Sequence, residues 1–345
     1  MRNYVPVRNM LFDPRPKASR DELFDREKEL EILDGSVGKP LIVVAGIRRV
    51  GKSSLLMSFL ENRRGVYVDL REVRTRADLY RKLSDGLSSS LRRLGEGFLR
   101  QIRGVRVMGL EVELKWRGAD SISISGLMEE LSMRGRTIFV FDEVQGLRPP
   151  LSLELRNAIS YVYDNVPNST VVLSGSEVGL LHDFVGVDNP ESPLFGRYYT
   201  EVHVERFPRS KSMEFLERGF SEAGRSVGGD ALERGVELFD GIPGWLVYYG
   251  MAVIDGRDMD EVTESAISLA RAEMGKLSDR ERYVAKAVAG GARSWAEVRR
   301  AVEESSGTVI PKSALTRAVR RLEKLSVIQD YRFLDPVYEK AARRL

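Results

Sequence analysis

Four short apolar runs and a fifth, more polar one alternate with stretches whose hydrophobic positions recur every three or four residues. The runs cover residues 40–45, 66–70, 137–141, 170–173 and 199–204. The run at 40–45, bounded by Gly38 and Gly46, suits a strand buried on both faces. Helical spacing predicts helices over 19–33, 53–62, 76–102, 122–133 and 152–165; in the third, Leu79, Leu83, Leu87 and Leu91 fall four apart. Residues 105–116 alternate instead and predict a small hairpin or edge pair. Strands alternating with helices up to about residue 207 mean a parallel sheet with helices on both faces. Residues 1–20, polar and proline-bearing, read as an ordered arm or a loose tail.

Beyond residue 210 the pattern is helical: 213–223, 229–239, 244–252 and 259–274. Residues 277–338 read as three helices followed by alternation around 327–333. Ser278 and Glu281 have the spacing of a capped helix start. The third helix opens at Pro311-Lys312-Ser313 and carries the apolar stripe Leu315, Val319, Leu322 and Leu325. Its other face shows Lys312, Thr316, Arg317, Arg320 and Arg321, as a recognition helix in a major groove would. A length of 345 residues suits two or three domains rather than one core.

Composition removes whole classes of chemistry. There is no cysteine, so disulfides, thiolate metal sites and cysteine nucleophiles are excluded. His182 and His203 are the only histidines, which furnishes an imidazole metal centre poorly. The longest apolar runs, such as Leu41–Ala45, fall far short of the ~20 residues of a membrane span. The first residues lack a signal-peptide core. The expectation is a cytoplasmic protein without a membrane partner. The net charge of +3 conceals an asymmetry: residues 271–345 hold 17 basic and 10 acidic side chains, or +7, leaving about −4 for the rest. A basic tail points to an anionic partner, or is simply the solvated face of a small helical domain.

The strongest chemical signal is Gly46-Ile47-Arg48-Arg49-Val50-Gly51-Lys52-Ser53, followed by Ser54, with a strand before it and a helix after it. The glycines let successive backbone N–H groups face a phosphate, and the helix start adds partial positive charge. Lys52 supplies a point charge to the β- and γ-phosphates, and Ser53 a hydroxyl to magnesium. The second signal is the strand at 137–141, which runs into Asp142-Glu143. Beside a phosphate loop, Asp142 can hold magnesium, and Glu143 can orient and deprotonate the attacking water. Ser174 and Ser176 follow the next strand, as γ-phosphate sensors or as ordinary strand-end turn residues. Arg197 precedes the fifth strand, as an arginine finger or as half of a surface ion pair.

In order, these residues resemble the AAA+ superfamily, and more closely the archaeal ATPases of the STAND group. Phe24-Asp25-Arg26-Glu27-Lys28-Glu29-Leu30 is similar to the family's opening segment, which implies that Arg26 lies near the adenine. Val144-Gln145 extends the D-E-x-Q pattern. Leu173-Ser174-Gly175-Ser176 stands where the family places sensor 1, and Leu194-Phe195-Gly196-Arg197 resembles its P-L-x-G-R segment. Gly241-Ile242-Pro243-Gly244-Trp245 resembles the G-x-P motif of STAND lids, whose proline approaches the base. Tyr331-Arg332-Phe333-Leu334-Asp335-Pro336 is similar to the close of the family's winged helix.

The resemblance implies a P-loop α/β domain (1–207), a helical lid (208–274) that closes over the nucleotide and a winged helix (275–345). ATP or ADP and Mg2+ are the implied ligands. Serines at sensor 1 imply slow turnover, as in a switch. The winged helix would engage DNA or a protein. A homo-oligomer is implied if Arg197 acts on a neighbour. The competing reading is a DNA-binding regulator or replication-loader-like protein in which nucleotide is a structural or switching ligand; a chaperone-like or toxin–antitoxin partner is a third.

Overall fold

The structure, a computed structural model, describes residues 10–95, 102–118 and 121–345. The chain forms two compact units: Pro16–Gly46 with Lys52–Val204, and residues 10–15 with Ile47–Gly51 and Glu205–Leu345.

The first unit contains α1 (Glu27–Gly35), β1 (Leu41–Ala45), α2 (Lys52–Phe59), β2 (Gly65–Asp69), α3 (Arg76–Leu94), β3 (Val105–Met108), β4 (Glu111–Leu114), α4 (Ile124–Met133), β5 (Thr137–Asp142), α5 (Leu151–Asn165), β6 (Ser169–Gly175), α6 (Val178–Val185) and β7 (Thr200–His203). Its main sheet is parallel, in the order β2-β5-β6-β1-β7. β1, β5 and β6 are buried at every position, so they read as continuous apolar runs rather than alternating ones. The strand order reverses beside β1, whose sequence successor β2 lies at the far edge. Ligands of open α/β sheets bind outside the carboxyl ends of the strands at such a reversal.

The hairpin β3–β4 lies on α3, where Ser88 and Ser84 accept the amides of Val112 (2.9 Å) and Leu114 (3.2 Å). Helix side chains thus satisfy donors that would otherwise leave an open strand edge. α3 starts in a Thr75–Asp78 capping box and ends at Gly95, which has φ +81. The helix expected over 76–102 is therefore shorter, and its stretch 96–101 lies outside the described residues. The helix expected over 19–33 is broken in two. Asp25 takes a left-handed backbone (φ 53) between a 3-10 turn at Arg20–Glu22 and α1.

The second unit contains α7 (Arg209–Glu222), α8 (Gly229–Phe239), α9 (Pro243–Ile254), α10 (Met259–Met274), α11 (Asp279–Ala289), α12 (Trp295–Ser306), α13 (Lys312–Lys324), β8 (Ile328–Gln329), β9 (Arg332–Phe333) and α14 (Pro336–Ala342). Phe12 is wholly buried against the rings of Phe215 and Phe220, and the Leu11 amide donates to Glu222 at 2.8 Å. The polar N-terminal stretch is an ordered arm at these residues; residues 1–9 lie outside the described ones. α11 to α13 and the β8–β9 hairpin form the expected winged helix. α14 packs on α8 and α10 with Val337, Tyr338, Ala341 and Ala342 buried, so 208–274 and 275–345 share one compact unit. Among the described residues no helix is long and apolar enough to cross a membrane.

Candidate functional site

β1 delivers the chain to Gly46, and α2 starts six residues later at Lys52. The turn is made by left-handed residues, Arg49 (φ 66) and Gly51 (φ 96). Glycine takes such a backbone freely, whereas an arginine there needs outside support. Lys52 is buried, and its Nζ donates to the Gly46 carbonyl at 2.7 Å. The Ser54 hydroxyl, in the first turn of α2, accepts the Lys17 amide at 3.1 Å.

Ser53 Oγ donates to Asp142 Oδ2 at 2.7 Å. Asp142, the last residue of β5, is fully buried and meets two further hydroxyls: Tyr67 Oη donates to Oδ2 at 2.5 Å, and Ser174 Oγ donates to Oδ1. Burial, and then the charge of Asp142, pushes the Tyr67 phenol far above its ordinary pKa, so it stays a donor. Glu143 leaves the strand with φ 58 and is only partly buried. Its Oε2 accepts from Ser176 Oγ (2.7 Å) and Gln145 Nε2 (2.5 Å). Adjacent carboxylates therefore occupy different environments, one beside the loop hydroxyl and one in a separate polar cradle. The fold brings Lys52, Ser53, Asp142, Glu143, Ser174 and Ser176 together.

The tip of the loop, Ile47–Gly51, belongs to the second unit. There Pro243 opens α9, and the amide of Gly244 donates to the Arg49 carbonyl at 2.9 Å. A Cβ on Gly244 would lie 2.8 Å from Arg49 Cβ, so only glycine permits this approach. The Arg49 guanidinium lies 2.5 Å from Glu273 Oε1 and 4.1 Å from the centre of the Trp245 ring. Arg48 pairs with Glu273 Oε2 at 3.3 Å, and Tyr338 donates to the same oxygen. Burial would raise the Glu273 carboxyl, but hydrogen bonds from Arg49 and Tyr338 outweigh it and hold its pKa below the ordinary glutamate value. Trp245 Nε1 donates to Asp335 at 2.8 Å; burial raises the Asp335 carboxyl, and the indole partly offsets that.

The remaining expected residues lie in other settings. Arg26 is buried at the start of α1, bonded to the Asp25 carbonyl (3.0 Å) and to Glu29 (3.3 Å). Arg197 pairs with Asp164 at 2.5 Å, donates to the Pro193 carbonyl and lies 5.5 Å over the Tyr163 ring. Sequence reasoning missed Tyr67, Glu273 and Tyr338. Tyr67 carried a faint signal, as a hydroxyl-bearing residue at an alternating position of the 66–70 run. Glu273 and Tyr338 carried none, being 224 and 289 positions from Arg49.

A parallel sheet reversing at β1, a glycine-cornered loop entering a helix, and a hydroxyl–carboxylate pair beside it define a P-loop nucleotide-binding fold, here with a C-terminal winged helix. The chain belongs to the family of ATPase domains found predominantly in Archaea, whose model matches residues 23–249. The C-terminal winged helix-turn-helix domain of MCM proteins matches residues 277–340. The Walker-type ATPase PABY2304 of Pyrococcus abyssi is 36% identical over 97% of this chain and 100% of its own, with a TM-score of 0.83. The Aeropyrum pernix ORC2 protein, solved as ADPNP–ADP complexes, shares the fold at 14% identity, 97% and 96% coverage and a TM-score of 0.58. No curated protein sequence matches the chain.

Proposed function

We propose that the protein binds ATP with Mg2+ at the 46–54 loop and hydrolyses it slowly, as a conformational switch of STAND type whose winged helix engages DNA. The observation that carries this reading is the Ser53–Asp142 pair at 2.7 Å, with Lys52 on one side and Glu143 in its own cradle on the other. Membership of an ATPase family supports it. Nucleotide in the Aeropyrum pernix ORC2 protein is consistent with it.

Ser53 and Asp142 would hold magnesium, a hard cation that takes oxygen ligands. Bound there, the ion would neutralise charge on the β- and γ-phosphates. Lys52 exchanges the Gly46 carbonyl for a phosphate oxygen. The loop amides and the start of α2 receive the phosphates. Glu143 orients a water and takes its proton as the water oxygen bonds to the γ-phosphorus and the bond to the β-phosphate oxygen breaks. In the structure Glu143 is occupied by Ser176 and Gln145, and freeing it before each turnover suits a slow switch.

The outward face of α13 favours DNA over a protein partner. Lys312, Arg317 and Arg320 are exposed and Arg321 partly so, and among the described residues none of the four has an ion-pair partner. Trp295 Nε1 donates to Thr316 at 3.2 Å, tying α12 to α13. Duplex binding by the full chain, measured against salt, tests this. A steep loss of affinity with salt supports phosphate contact. Flat, weak binding would point to a protein partner, and absence of ATP turnover would leave nucleotide as a structural ligand.

A further inference from the structure

A fully buried carboxylate is tolerated only where donors are aimed at it. Asp142 has three such donors from three elements: Ser53 of α2, Tyr67 of β2 and Ser174 of β6. The nucleotide-site reading already employs Ser53, and Ser174 stands where a γ-phosphate sensor is expected. It gives Tyr67 nothing to do, although the phenol shares Oδ2 with the Ser53 hydroxyl.

The placement of Tyr67 follows from the strand. Val66 and Val68 point into the core, so Tyr67 and Asp69 take the other face of β2. Register puts Asp69 opposite Asp142 and Tyr67 opposite Val140. The phenol therefore reaches forward along the sheet to meet Asp142. Its backbone is seated closely: a Cβ on Gly86 of α3 would lie 2.5 Å from the Tyr67 carbonyl. A phenylalanine would fill the same space. A partly buried hydroxyl is retained at a cost unless its hydrogen bond contributes something. With two donors on Oδ2 and one on Oδ1, Asp142 cannot turn its carboxylate without breaking hydrogen bonds to more than one element.

We propose that Tyr67 is a positioning residue for the metal-bearing carboxylate. By fixing Asp142 Oδ2 beside Ser53 Oγ, it presets the pair of oxygens that receives Mg2+ and so sets how strongly metal and nucleotide binding are coupled. The inference rests on the magnesium–nucleotide reading of this site. The 2.7 Å between those oxygens is compatible with neighbouring ligands of one octahedral ion whose bonds are ~2.1 Å long. Loss of a partner that orients a metal ligand typically costs ~10–100-fold in metal affinity.

The test needs no turnover. The affinity of the full chain for a fluorescent ADP analogue is measured with Mg2+ and with EDTA, and the ratio of the two reports the coupling. In Tyr67→Phe the ratio is expected to fall ~10-fold or more while affinity in EDTA stays within ~2-fold. A wild-type ratio in Tyr67→Phe would overturn the proposal. So would loss of the fold, followed by melting without nucleotide, because the phenol would then be a structural group. Asp142→Asn separates this outcome from failure of the underlying reading. It should bring the ratio close to one; if it leaves the ratio intact, the magnesium assignment itself is wrong.

Discussion

Arg49, at the tip of the phosphate loop, is ion-paired to Glu273 at the end of α10, with its guanidinium packed over Trp245. The pair, three-quarters buried, holds an arginine in the left-handed backbone that residues of its kind rarely adopt. It also ties the loop tip to Tyr338, which lies in the winged-helix match rather than the ATPase-domain match.

This pair predicts a pH dependence. The Glu273 carboxyl is held below its unfolded value, so its contribution is complete above the unfolded pKa and is lost as pH falls through the folded one. The wild-type chain should lose stability on acidification below about pH 4.3 more steeply than Glu273→Gln. At neutral pH that variant should be less stable by about 1–3 kcal/mol, since a partly buried arginine loses its charged partner. Denaturant titrations at several pH values measure both. Parallel pH profiles would show that the pair contributes nothing.

For Lys52→Ala, tight nucleotide binding should disappear. The ammonium is the flexible cation of the loop, and it lies on the Gly46 carbonyl where a phosphate oxygen can replace that carbonyl. Calorimetry with ATP and Mg2+ provides the check. An affinity equal to that of the wild type would remove the loop from the site.

Glu143→Gln should separate binding from chemistry. The amide keeps the shape and can still bond Ser176, but it cannot take a proton. ATP binding should persist while single-turnover hydrolysis falls ~10²-fold or more. Unchanged hydrolysis would assign the proton to another group.

How legible each feature is in the sequence follows how local it is. β1, β5 and β6 were legible because strands buried on both faces show as unbroken apolar runs. Lys52, Ser53, Asp142 and Glu143 were legible because their chemistry is concentrated at strand ends and one helix start. α6 escaped notice: its N-cap, Glu177, makes no side-chain capping bond, and the run is short. α14 carries a local signal within the segment that resembles the close of the winged helix. Asp335 caps the helix through the Val337 amide and Pro336 takes its first turn. Tyr67 and Glu273 reach their partners through strand register and across a sequence separation of 224 positions, which no local pattern encodes.

Arg197 distinguishes two arrangements of the chain. Within one chain it is engaged by Asp164 and the Pro193 carbonyl. If it serves a neighbour's γ-phosphate, turnover per chain should rise with protein concentration. Arg197→Ala should then bind nucleotide but lose activity, and mixing it with Glu143→Gln should restore part of the rate. Concentration-independent turnover without rescue would leave Arg197 acting within its own chain or as half of a surface pair.

The α13 face yields a prediction with an internal control. Arg317 and Arg320 are exposed on the turn of α13 opposite the buried Leu315, Ala318, Val319 and Leu322. Reversing both to glutamate leaves the packed side of the helix untouched, so thermal stability should shift by no more than ~0.5 kcal/mol per site. Nucleotide affinity should be unchanged. If the face meets phosphates, the double variant should bind duplex DNA more weakly. The logarithmic slope of affinity against salt should also become shallower, by about one for each phosphate that is no longer neutralised. The slope decides more than the affinity does. A protein partner with an acidic patch would also be weakened by charge reversal, but the wild-type chain would then show no steep salt dependence on DNA to lose. Equal slopes and equal DNA affinity in wild type and variant would remove α13 from nucleic-acid contact.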